Sequence, residues 1–156
     1  KKNAGGRAAD HARMIIEELK PMIDERFRAA TDARNPGVGG SSLGGLVSLY
    51  LLIKYPQVFG RAAVMSPSIW WHDRAILKDV AAFQARPLPR IWLDTGGREG
   101  GETLRDTRAL RDVLRSKGWN GYDLAYVEDR RGEHNERSWA GRARAMLEFL
   151  FPPRAS

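Results

Sequence analysis

One short run in this 156-residue chain has the residue types and spacing for covalent chemistry: Gly40-Ser41-Ser42-Leu43-Gly44. A serine flanked by glycines two before and two after, between a strand and a helix, fits a nucleophile elbow, the tight turn that lifts a hydroxyl clear of the sheet. Ser42 is then the expected nucleophile. The amide of Leu43 opens the helix, where backbone N–H groups lack partners and the helix dipole is positive, so it is the expected oxyanion donor. A serine needs a base, and the histidines are His11, His72 and His134. His134 lies in Gly132-Glu133-His134-Asn135-Glu136, between the last strand and the last helix, where the chain order serine, acid, histidine puts the base. His72 follows the second strand and is the competitor, whereas His11 precedes the serine in the first helix. For the acid, Leu93-Asp94-Thr95-Gly96-Gly97-Arg98-Glu99 offers Asp94 and Glu99. Either could hold the imidazole; Glu99 has the better reach, because it lies beyond the strand end.

The surrounding sequence supplies elements that could position these groups. Apolar residues Ile16, Leu19, Ile23 and Phe27 predict a helix over 8–27, with Pro21 kinking it or starting a second segment. Small residues 37–41 predict a strand. Residues 43–55, apolar nearly all round and ended by Pro56, predict a buried helix. Further strands are expected over 61–65, 90–93 and 122–127, with helices near 73–84 and 103–117, the latter capped by Gly118. Trp139, Ala143, Met146, Leu147 and Leu150 repeat at helical spacing and mark a last amphipathic helix. Strand and helix alternate throughout, which predicts an α/β fold of about four parallel strands with helices on both faces.

Composition narrows the function classes. With 42% hydrophobic residues the chain can build one core, so a disordered tail is excluded. No cysteine is present, which removes disulfides, thiolate metal sites and a thiol nucleophile. The apolar run 46–53 is cut by Lys54 and Pro56, well short of the roughly 18 residues of a membrane helix. Lys+Arg 26 against Asp+Glu 19 gives a net charge of +7, but the basic residues are interleaved with acids and form no nucleic-acid-binding motif. A nucleic-acid or membrane partner is therefore not expected.

Several runs in order resemble one family, the putative-esterase branch (esterase D and enterochelin-esterase-like) of the α/β-hydrolases, over residues 6–152. They are the helix 17–24, the run Gly39-Gly40-Ser41-Ser42-Leu43-Gly44-Gly45, the segment Lys54-Tyr55-Pro56-Gln57-Val58-Phe59-Gly60, Ser66-Pro67-Ser68 with Trp70-Trp71, Leu93-Asp94 with Gly96 and Glu99, and His134-Asn135-Glu136 with Trp139. The resemblance implies a serine esterase acting through an acyl-enzyme, with Ser42 as nucleophile, His134 as base and Glu99 as acid. It implies a substrate-binding wall from Ser41, Trp70 and Trp71, a small-molecule ester as substrate, and neither metal nor organic cofactor. It also implies that the chain is a C-terminal portion of one α/β-hydrolase domain, whose early strands come from an upstream segment or a second chain. The rival readings are an acyltransferase using the same site and a non-catalytic scaffold.

Overall fold

The computed structural model of the chain describes residues 6–30, 32 and 34–153. Helices α1 (Ala8–Arg13) and α2 (Lys20–Arg26) are joined by a π-helical stretch, Met14–Leu19. The backbone stays helical on both sides of this junction, at Leu19 and Lys20, so Pro21 lies within a continuous helical run, next to the π-helical stretch, and interrupts its bonding there instead of starting a separate helix. Then follow β1 (Gly37–Ser41), α3 (Leu43–Lys54), β2 (Arg61–Met65), α4 (Ala75–Ala81), β3 (Arg90–Gly96), α5 (Gly101–Ser116), β4 (Leu124–Asp129) and α6 (Glu136–Leu150).

The sheet order is β1-β2-β3-β4 and every pair is parallel. Alternate residues divide its two faces. Ala62, Val64, Ile91 and Leu93 join α3, α4 and α5 in one apolar cluster, with Leu49, Leu51 and Leu52 fully buried. Each such leucine stabilises the fold by roughly 1.5–3 kcal/mol. Ala63, Met65 and Trp92 face the other way and pack against Trp139, Met146, Phe149 and Leu150 of α6. Helices thus cover both faces. Because the strand order advances in one direction with α3, α4 and α5 on one face, the three crossovers share one hand.

Three expectations shift. β3 runs on to Gly96, so Asp94 lies within the strand, and β4 begins at Leu124. On α6, Leu147 is exposed, and the residue that turns inward is Arg142. In the first helical stretch Ala12, Ile15 and Ile16 meet the core, while Leu19, Ile23 and Phe27, expected on the buried face, are exposed. Among the described residues β1 pairs with β2 alone, so the strand leading to Ser42 forms an edge of the sheet.

Candidate active site

The turn from β1 into α3 is built on close backbone approach. A Cβ at Gly40 would meet the carbonyl carbon of Gly44 at 2.8 Å, and one at Gly45 would meet the Met65 carbonyl oxygen at 2.8 Å. A Cβ at Gly44 would meet nothing within 4 Å. The glycine that lets the helix pass β2 is therefore Gly45, and Gly40 must be bare to pass the Gly44 backbone, which any residue at 44 would present. Between strand and helix, Ser42 takes φ 58° and ψ −122°, a conformation that costs a non-glycine residue on the order of 1–3 kcal/mol. Its N–H donates to the Met65 carbonyl and its own carbonyl accepts from Leu46 and Ser68. Although Ser42 stands at the cap of α3, its side chain bonds no helix amide. The hydroxyl is left for other partners.

Three of the expected residues meet at the C-terminal ends of the strands. Ser42 Oγ is 2.9 Å from His134 Nε2, and His134 Nδ1 is 2.8 Å from Glu99 Oε2. The Glu99 side chain is fully buried whereas that of His134 is 42% exposed, which leaves the imidazole open to solvent on one side. Trp139 lies edge-on to the imidazole, with ring centroids 5.1 Å apart. The loops after β3 and β4 are drawn together where Gly96 meets Gly132: a Cβ on Gly96 would sit 2.4 Å from the Gly132 carbonyl oxygen. Arg98 N–H donates to that oxygen and Gly97 N–H to the Asp129 carbonyl. Asn135 then caps α6 by accepting from the Ser138 amide, so the helix starts directly after His134.

The second carboxylate, Asp94, faces elsewhere. It is fully buried and accepts from Trp92 Nε1, Arg142 Nη2 and the Ser66 amide. Burial pushes its carboxyl above the usual carboxylate range, against the pull of Trp92 and Arg142. No contact joins it to His134 among the described residues. His72 and His11 are both exposed and neither bonds Ser42. Leu43 is the first residue of α3 and is 53% exposed beside Ser42. Ser41 ends β1 opposite Met65. Trp70 and Trp71 lie 5.8 Å apart just after Ser68, outside both apolar clusters, with Trp70 half-exposed. Trp71 is partly buried, and neither ring is part of the two apolar clusters. Among the described residues no three of His, Asp and Glu come together as a metal ligand set.

Sequence reasoning assigned no role to four groups that surround this trio. Ser68, nearly fully buried, places its Oγ 3.2 Å from Ser42 Oγ. Ser66 Oγ lies 2.5 Å from Glu99 Oε1 and accepts from Trp139 Nε1 and Arg142 Nη2. A signal for Arg142 was present: it follows Trp139 by three positions and precedes Met146 by four, a charge on the apolar stripe of the last helix.

A family model described as "Putative esterase" matches residues 1–150. The uncharacterized protein YbbA of Bacillus subtilis is 25% identical over 154 residues, covering 94% of this chain and 61% of its own length. The iron(III) enterobactin esterase of Dickeya dadantii is 30% identical over 119 residues, 76% of this chain and 26% of that protein. Among solved structures, an enterochelin esterase from Shigella flexneri superposes with a TM-score of 0.81 at 28% identity, over 93% of this chain and 38% of that one. The chain therefore spans less than two thirds of the length of each of these relatives.

Proposed function

Because the chain belongs to the putative esterase family, we propose that it forms the part of an ester hydrolase that carries a Ser-His-acid triad: Ser42 as nucleophile, His134 as general base and Glu99 as the acid. The observation that carries this reading is the continuous relay Ser42 Oγ, His134 Nε2, His134 Nδ1, Glu99 Oε2, with both links at hydrogen-bond distance. In the proposed reaction Ser42 Oγ attacks the ester carbonyl carbon while His134 Nε2 takes its proton, and the imidazolium is held by Glu99. The tetrahedral oxyanion is met by the Leu43 amide, at the positive end of α3. Collapse expels the alcohol, which takes the proton from His134. Water then repeats the sequence on the acyl-serine and restores the free hydroxyl.

The substrate proposed is a small-molecule ester whose bound group rests near Trp70, Trp71, Ser41 and Leu43. The relatives named enterobactin esterases make siderophore esters the first to try after p-nitrophenyl esters. The edge of β1, unpaired among the described residues, supports a further part of this reading, that another strand, from elsewhere in the polypeptide or from a second chain, covers that edge.

The test is hydrolysis of a p-nitrophenyl ester by the full-length protein and by its Ser42→Ala, His134→Ala and Glu99→Ala variants. Loss of turnover in the first two, with unchanged thermal midpoints, is the expected result. Turnover retained in Ser42→Ala rejects the reading.

A further inference from the structure

Ser66 is the least conspicuous hydroxyl of the site and the most constrained. It follows β2, has φ 42° without being glycine, and is fully buried. A hydroxyl has one proton and two acceptor positions. Both acceptor positions are occupied by groups that can only donate: Trp139 Nε1 at 3.1 Å and Arg142 Nη2 at 3.0 Å. The proton therefore has one destination, Glu99 Oε1 at 2.5 Å, a distance typical of a hydroxyl on a carboxylate. Arg142 is itself held by Asp94, which accepts from the same Nη2, and by Asp129, which accepts from Nη1. It also stands 3.8 Å from Glu99 Oε1, an ion-pair distance too long for a hydrogen bond, so the two charges attract directly while the Ser66 hydroxyl makes the hydrogen-bonded link between them.

From this geometry we propose that Ser66 is a positioning residue for Glu99, its hydroxyl aimed by Arg142 and Trp139. Glu99 Oε1 accepts from Ser66 and from the Gly96 amide, and those two donors fix the carboxylate plane so that Oε2 faces His134 Nδ1. Without Ser66, the Gly96 amide is the one hydrogen-bond donor left on Oε1 among the described residues, with Arg142 Nη2 3.8 Å away, and the carboxylate can turn about its last bond. The imidazole then loses its orienting partner for part of the time, and Nε2 drifts from Ser42 Oγ. A displacement of this kind lowers the rate of the chemical step without weakening substrate binding.

The inference rests on the triad reading, and the experiment separates the two. Ser66→Gly removes the hydroxyl while accepting the positive φ, and Ser66→Ala is read alongside it in case glycine at 66 does not give folded protein. In p-nitrophenyl ester hydrolysis by the full-length protein, kcat is expected to fall roughly 10- to 100-fold with KM within about twofold of wild type. In a Glu99→Ala background the same change at 66 is expected to alter kcat by less than about twofold, because its effect travels through Glu99. A role in folding alone would lower activity equally in both backgrounds. An unchanged kcat in the Ser66 variants, or losses that multiply in the double variant, overturns the proposal. Turnover surviving Ser42→Ala overturns the triad reading. Turnover lost in Ser42→Ala but intact in the Ser66 variants overturns only this inference.

Discussion

Ser42 and Ser66 follow the last paired residues of neighbouring strands, since Ser41 stands opposite Met65 in the parallel register. Each donates its N–H to the carbonyl of the next strand, Ser42 to Met65 and Ser66 to Asp94, and each has a positive φ, 58° and 42°. Their surroundings then diverge. Ser42 opens α3 at a partly exposed position and bonds His134 Nε2, a group that accepts a proton when neutral. Ser66 is followed by Pro67, is sealed from solvent, and meets two donors and a carboxylate. The same turn geometry thus yields two kinds of hydroxyl. One is partly exposed and bonded to an imidazole nitrogen; the other has its proton committed. On the proposed reading, what distinguishes the reactive serine from the bracing one is the identity of its partners and its access to solvent, not its backbone strain.

This contrast can be broken or sharpened by substitution. The largest expected effect is Ser42→Ala, which should lower kcat at least about 10⁴-fold with little change in thermal midpoint, measured by ester hydrolysis and calorimetry. The smaller, Glu99-dependent loss at Ser66 is its counterpart. Next comes Gly45→Ala, whose methyl would press on the Met65 carbonyl oxygen and the Gly40 carbonyl. It should destabilise the protein by about 1–3 kcal/mol in denaturant unfolding, as overpacking against backbone does. Third, Ser42→Gly relieves the strained φ and should stabilise the fold by about 1 kcal/mol while abolishing turnover. Ser66→Gly relieves similar strain but takes the acceptor from Trp139 Nε1 and leaves Arg142 Nη2 with Asp94, so its thermal midpoint should not rise. The smallest effect is Gly44→Ala: with open space at its Cβ and a helical position, alanine should be neutral or stabilise by up to about 1 kcal/mol.

The pair Gly44 and Gly45 also shows how far the sequence could be read. The spacing around Ser42 located the turn, the buried helix and the place of His134, because those signals are local: small residues, an apolar run, a loop before a periodic helix. Which glycine is sterically required depends on the Met65 carbonyl of β2, a contact that no local pattern records. The same holds for Asp94. A carboxylate after Leu93 looks like the end of a strand, yet β3 continues because Trp92, the Ser66 amide and Arg142, 48 positions away, satisfy it. Arg142 left only a local trace, a charge on the apolar stripe of the last helix; what draws it inward is the buried carboxylates Asp94 and Glu99, which helical spacing does not record, while Leu147, placed on the stripe by its apolarity, is exposed. In the first helical stretch periodicity could find the helix but not its partner, and Leu19, Ile23 and Phe27 stand exposed.

Activation of the Ser42 hydroxyl by His134 is open to a chemical test: treat the full-length protein with a fluorophosphonate and locate the adduct by peptide mass spectrometry. One phosphonyl group per chain is expected, on Ser42, formed at a rate that collapses in His134→Ala and falls in Glu99→Ala. A folded protein that takes up no label at Ser42, or labels there equally fast without His134, would contradict it.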